Sequence, residues 1–185
     1  MNSEIQTPGQ RTAGGRADVA AMPTASDVGA TEGQYLTFGL AGGTFAIPIL
    51  TVREIRGWEA VTEIPRAPAY VLGVMNLRGS VVPVLDLRAS LGMVAQERTP
   101  TSVVIVVRVE TADAVSRMVG CLVDHVSDVV TMSSENMRPA PDSCGDIESH
   151  FVAAVSTLGT ELVLLLDLSR LVDSSIVPGG THEAA

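Results

Sequence analysis

Catalysis needs a nucleophile, a base and an orienting group, or a cluster of metal ligands, and few residues here could supply them. The three histidines are His125, His150 and His182. His125 follows Asp124, but adjacent residues on a strand point to opposite faces and cannot form a dyad. His182 falls in a polar tail, and His150 lies close to Glu148 in a loop. Cys121 sits in an apolar run and reads as inert core, whereas Cys144 lies in the polar stretch Asp142-Ser143-Cys144-Gly145-Asp146. A small metal- or thiol-dependent enzyme would have to use Cys144, Asp146, Glu148 and His150, yet an ordinary polar loop gives the same alternation. Gly39-Leu40-Ala41-Gly42-Gly43 lacks both the strand-loop-helix frame and the lysine of a phosphate loop. Asp86 and Asp167 precede short helical stretches, where a carboxylate caps the helix. No catalytic constellation and no cofactor or metal site emerges.

One charged residue stands out among the apolar runs. Arg78, in Asn76-Leu77-Arg78-Gly79, needs a carboxylate if it is covered, and Glu54 is one candidate. If instead it occupies an exposed hairpin tip it needs none, and spacing does not choose between the two.

Composition narrows the class. The chain has 185 residues, 46% of them apolar but only 3% aromatic, so its core must be aliphatic. Twenty-one acidic residues face 12 basic ones, all arginine, for a formal net charge of −9. That balance argues against nucleic acid, whose phosphates need a basic face. Two cysteines are too few for a disulfide framework. No apolar run is longer than Val103 to Val107, far short of the roughly 18 residues of a membrane span, and no basic-then-apolar leader opens the chain. A cytoplasmic location is the expectation.

The elements that must position Arg78 and Glu54 read mostly as strands. Residues 1–33, rich in Gly, Ala, Thr and Ser, read as a flexible arm, residues 174–185 as a loose tail, and 34–173 as the folded body. Leu36, Phe38 and Leu40 alternate with Tyr35, Thr37 and Gly39 on one strand. Gly42-Gly43 then supplies the positive φ of a hairpin, returning through Thr44 to Ile49. Val71–Leu77 and Ser80–Leu85 pair through Arg78-Gly79, with Pro83 marking the second run as an edge or bulged strand. Val103–Val107, Met118–Val123 and Leu162–Leu166 read as strands, the first covered on both faces. Leu87–Leu91 and Leu168–Val172 read as short helices, and Ser133–Met137 as a helical turn.

The sequence also echoes itself. Ala46–Ile55 can be laid over Gly120–Val129 at an offset of 74 (120 − 46). Val84-Leu85-Asp86-Leu87 can be laid over Leu165-Leu166-Asp167-Leu168, with an aspartate offset of 81 (167 − 86). Two halves of one plan predict an all-β body of two small barrels packed together, since closure removes exposed edges.

Several blocks, taken in order, resemble a known family. They are Gln34–Leu40, Phe45–Ile49, Val52-Arg53-Glu54-Ile55, Ile64–Pro68, Gly73–Gly79, Val82–Arg88, Val123–Val129 and Arg138-Pro139-Ala140-Pro141. Together they are similar to CheW-type chemotaxis coupling proteins over essentially all of 34–173. The resemblance implies two SH3-like five-stranded β-barrels around a shared aliphatic core, with short helices. It also implies a non-enzymatic adaptor, cytoplasmic and held at receptor arrays through its partners. Those partners would be the regulatory domain of a CheA-type histidine kinase and the cytoplasmic tips of methyl-accepting chemoreceptors. By the same resemblance, Glu54 and Arg78 form a pair at the receptor-binding groove, which Val52, Val103, Val126 and Val129 line or support. Val81 faces the kinase, and the loop from Arg138 to Asp142 closes rings of kinase and coupling subunits. A coupling protein for surface motility or development is the alternative. Four positions depart from the family pattern: His125, Ala154 and Ser156 where glycine is usual, and Ser143 where an apolar residue is.

Overall fold

Nine residues of alternating side chains, Glu32–Leu40, form β1, which returns through a tight turn into β2 (Gly43–Pro48). The computed structural model describes residues 32–94, 97–111, 114–141, 147 and 149–174. A 3-10 turn at Ile49–Thr51 leads to β3 (Val52–Gly57). Then come β4 (Val71–Leu77), β5 (Ser80–Asp86) and the one-turn α1 (Leu87–Ser90). The β-branched run becomes β6 (Val103–Glu110), followed by β7 (Ser116–Val123) and β8 (His125–Ser133). A 3-10 turn at Ser134–Asn136 separates β8 from β9 (Arg138–Pro139). The chain ends in β10 (Val152–Leu158), β11 (Glu161–Leu166) and α2 (Leu168–Ser174).

These strands make two sheets. One is ordered β8-β1-β2-β11-β10-β9 and the other β3-β6-β7-β5-β4. In the first, β8 runs through its 3-10 turn into β9, so the two outer strands are one piece of chain. The expected fifth strand is therefore split in two. In the second sheet, the chain beyond β3 reaches the outer edge of β4. There Thr62 donates to Val74 O at 2.9 Å and Val74 donates to Thr62 O at 2.8 Å. Each sheet thus meets itself, and neither leaves a long open edge.

The echo in the sequence is real in space. Both sheets hold one parallel pair at matching register, Leu165 opposite Ala46 and Val84 opposite Gly120. Both carry a register shift at the same two places: between Val52 and Glu54 and between Leu36 and Phe38, then between Val71 and Gly73 and between Val152 and Ala154. The two barrels are interleaved in the chain, because β1 and β2 join β8–β11 while β3–β7 form the other.

The largest core lies between the barrels. Leu36, Phe38 and Ile47 of one sheet meet Ile105, Val107 and Cys121 of the other, and Leu87, Leu91, Leu168 and Leu171 plug the seam. Phe38 and Phe45 stack there with ring centroids 6.1 Å apart. Each such buried side chain contributes roughly 1.5–3 kcal/mol. Smaller cores fill the barrels themselves, around Val82, Val84, Val104 and Val106 in one and Ala46, Met132 and Val163 in the other.

The helix caps form as predicted. The Asp86 carboxylate accepts from Arg88 N–H at 3.0 Å, and that of Asp167 accepts from Ser169 N–H at 3.1 Å. Three sequence expectations need correction. The first hairpin turns on Ala41 (φ 51°) and Gly42 (φ 81°), with Gly43 already in β2. The return strand stops at Pro48, and Ile49 opens a 3-10 turn. Pro83 is not on an edge strand, since β5 lies between β7 and β4, although the β4–β5 ladder is bulged beside it, between Val71 and Gly73. The ladder to β7 starts at Val84, so the proline's missing N–H falls just before it. Among the described residues, no helix is long and apolar enough to cross a membrane.

Candidate functional site

The Asn-Leu-Arg-Gly block owes its order to a turn. Arg78 (φ 53°) and Gly79 (φ 90°) are the two central residues of the β4–β5 hairpin, the pair of positive φ values that matches strand twist. Asn76 holds the turn by accepting the Gly79 N–H on its side-chain oxygen at 2.8 Å. Two residues on, Val81 projects from β5 with 71% of its surface exposed.

Arg78 occupies the exposed hairpin tip, and it meets Glu54 there although it is not covered. Its side chain is 84% exposed at the hairpin tip, and its Nη2 lies 3.3 Å from Glu54 Oε2 on β3, a carboxylate only 27% exposed. Glu54 also faces Arg56, Oε1 to Nε at 3.7 Å, and Arg56 reaches Glu59 at 3.4 Å. The pair joins the two outer strands of one barrel, β3 and β4. Exposed pairs of this kind contribute about 0.2–1 kcal/mol, too little to be what holds the barrel together. What the arrangement does is keep a charged, mostly hydrated guanidinium at a fixed place on the surface.

Beside this pair the rim of the seam is aliphatic. Val52, Val103 and Val126 rest against the shared core while remaining partly open, and Val129 is 43% exposed. Register puts them on one side, because Val52 lies opposite Val107, and Val126 and Val129 lie opposite Phe38 and Leu36. These partners are all buried in the seam. Ile55 was missed by the sequence reading. It lies opposite Ile105, is 44% exposed, and stands in β3 where Val129 stands in β8. The self-superposition that lays Ala46–Ile55 over Gly120–Val129 already carried that signal.

The remaining sequence-predicted positions are scattered. Arg138 is exposed on β9, and Asp142, Ser143, Cys144, Asp146 and Glu148 lie outside the described residues. His150, in a 3-10 turn, has its ring 3.8 Å from that of Phe151. Cys121 is buried in the seam, and burial pushes its thiol up to about 12, so it stays protonated and unreactive near neutrality. His125 is exposed, and its imidazole lies over Gly39, where an added Cβ would fall 2.0 Å from the ring. The histidine on β8 is thus matched by a glycine on β1 that leaves room for its ring. Ser156 is buried and donates to Asn136 O at 3.2 Å, tying β10 to the turn before β9.

Comparison with known proteins agrees with this geometry. Residues 34–175 match the CheW-like domain family. The chain is 42% identical over 152 residues to the chemotaxis protein CheW of Rhizobium meliloti, covering 82% of this chain and 92% of that one. It is 36% identical over 158 residues to CheW of Klebsiella aerogenes, covering 84% and 92%. The crystal structure of scaffolding protein TtCheW from Thermoanaerobacter tengcongensis superposes with a TM-score of 0.69 at 26% identity, covering 76% of this chain and 92% of that one. With a duplicated barrel, an aliphatic seam and relatives named for one process, the chain belongs to the CheW family of chemotaxis scaffold proteins.

Proposed function

We propose that this protein couples chemoreceptor cytoplasmic tips to a CheA-type histidine kinase, and that it does so by binding, without catalysing a reaction. The observation that carries the reading is the Glu54–Arg78 pair set beside an aliphatic rim of Val52, Val103, Val126 and Val129. A half-hydrated ion pair next to partly open apolar side chains can exchange partners cheaply, as reversible docking requires. Val81, apolar and exposed on the opposite strand of the same hairpin, serves as the contact for the kinase regulatory domain. The loop from Arg138 to Asp142 serves ring closure between kinase and coupling subunits. The protein works in the cytoplasm, at receptor arrays to which its partners recruit it.

The test is kinase stimulation in a reconstituted array of receptor, kinase and coupling protein. Arg78→Glu should lower stimulation about tenfold, the size of losing one charged contact and gaining a repulsion, while thermal unfolding moves little. Adding Glu54→Arg should recover part of that loss. Full stimulation by Arg78→Glu, or strict additivity of the two substitutions, would remove the pair from the receptor contact.

A further inference from the structure

Val126 and Val129 stand three residues apart on β8, and in an unbroken strand side chains three apart point to opposite faces. Both nevertheless lie opposite seam residues, Phe38 and Leu36, which are two apart on β1 and share a face. One extra residue on β8 makes this possible. The register shifts between Leu36 and Phe38, so Ser127 and Asp128 together face Thr37. A bulge of this kind re-aims the side chains beyond it. The β8 wall of the rim is therefore only as fixed as its bulge.

Thr37 holds that bulge with a side chain. The residue is 3% exposed. Its hydroxyl donates to the Asp128 carbonyl oxygen at 2.9 Å and accepts the Asp128 N–H at 3.1 Å, so one buried oxygen meets both main-chain polar groups of a bulge residue. The other barrel shows what this replaces. There the counterparts of Thr37 and Asp128 are Val106 and Glu54, and the ladder itself pairs them. On β1 the ladder to β8 steps from Leu36 to Phe38 and passes over Thr37, and the hydroxyl makes the link instead. Val106 is an apolar core residue of its barrel, so the hydroxyl clamp belongs to one copy alone.

We propose that Thr37 is a positioning residue for receptor coupling: its buried hydroxyl clamps the β8 bulge and so keeps Val126 and Val129 on one face of the rim. Thr37 acts through the two valines and touches no partner itself. This rests on the coupling reading, in which that rim meets a receptor tip. Without the hydroxyl, Asp128, which is exposed, exchanges its two bonds for water, and the extra residue is free to move along β8. A slip of one residue turns a valine away from the rim.

The experiment compares Thr37→Val, close in shape but without the hydroxyl, with Thr37→Ser, which keeps the oxygen and drops the methyl. On the full-length protein, NMR reads hydrogen exchange at the Asp128 amide and the NOEs from the Val126 and Val129 methyls to Leu36 and Phe38. Affinity is measured for a soluble chemoreceptor tip fragment and for the kinase regulatory domain, whose proposed contact at Val81 lies on the other barrel. Thr37→Val should speed exchange at Asp128, weaken those NOEs and lower tip affinity about fivefold, the scale of one net hydrogen bond, with kinase affinity unchanged. Thr37→Ser should bring tip affinity back to within about twofold of the wild type. If Thr37→Val does not fold, Thr37→Cys keeps the size with a weakly bonding sulfur and is read in the same way. Intact NOEs, or weakened NOEs with unchanged tip affinity, overturn the positioning role and leave the coupling reading standing. An equal loss of tip and kinase affinity does the same, being the mark of general destabilisation. A tip fragment that does not bind the wild type at all overturns both.

Discussion

At the bulge where β4 meets β5 stands Gly73; at the same register of the other barrel, where β10 meets β11, stands Ala154. The two barrels share this bulge but close over it differently. Gly73 has φ +146°, and a Cβ added there would lie 2.3 Å from the carbonyl oxygen of Thr62, the residue whose two hydrogen bonds join the chain after β3 to β4. Ala154 lies opposite Pro139 of β9 and stays out of the positive-φ region. Where one barrel is closed by a close backbone crossing, the other is closed by a short strand that leaves room for a methyl group. A side chain is thus tolerated at the bulge of one barrel and would not be at that of the other. Similar asymmetry marks the crossovers between barrels. Asp124, between β7 and β8, accepts from the buried Arg88 guanidinium and from Ala41 N–H at 2.9 Å, whereas the matching Leu50, between β2 and β3, is exposed. Duplication supplies the frame, and single residues decide what each copy does.

The largest effect expected from breaking this comparison is at the bulge. Gly73→Ala combines a disfavoured φ with displacement of the Thr62 bridge and should cost about 3–4 kcal/mol, read by denaturant unfolding. Ala154→Gly should cost only about 0.5–1 kcal/mol, the entropy of a strand glycine. Equal losses would mean that the two bulges are not closed differently. The crossover comes next. Asp124→Ala withdraws a carboxylate from a guanidinium side chain only 8% exposed, while Asp124 itself is 21% exposed. A loss of about 2–3 kcal/mol follows, below the range for a fully buried pair. Leu50→Ala, at the matching place, should stay within about 0.5 kcal/mol. If Asp124→Ala were as mild, the strap between α1, β8 and the first hairpin would not be holding the barrels in register.

Much of this frame was legible because it is periodic or local. Alternation in Leu36, Phe38 and Leu40 marked β1, the unbroken Val103–Val107 run marked a strand buried on both faces, and Asp86 and Asp167 marked helix starts. Even the duplication could be seen, since strand-to-crossover segments repeat their pattern. What stayed hidden depends on neighbours distant in sequence. Ala41 rather than Gly43 takes the turn because the register of β1 with β2 fixes which two residues remain unpaired. Pro83 sits in an interior strand because the parallel ladder to β7 begins one residue later, which nothing local announces. The Glu54–Arg78 contact stayed open for the same reason: it spans the closure of a barrel. Ile55 is different, for its signal was present in the superposition and was overlooked beside Val129.

The smallest effect sharpens the comparison inside the seam. Cys121 of β7 faces Ile105, as Ile47 of β2 faces Leu36, so one barrel presents a titratable side chain where the other presents an aliphatic one. Burial raises the Cys121 thiol from its ordinary value of 9.0 to about 12. Its folded pKa lies above its unfolded one, so the associated stability is intact below about pH 9 and is lost as pH rises toward 12. The unfolded chain can ionise in that window and the folded one cannot. Between pH 9 and pH 10 this should remove roughly 1 kcal/mol. Tyr35, whose phenol is also raised by burial, contributes to the same alkaline loss, so the wild-type slope alone does not isolate the thiol. The difference between wild type and Cys121→Ala does. The variant should start about 1 kcal/mol lower at pH 7 from the cavity it leaves and then fall less steeply above pH 9, the two curves converging by about pH 10. Parallel curves across that range would mean that the seam around Cys121 admits water, and that the two copies of this strand position are closer in character than their burial implies.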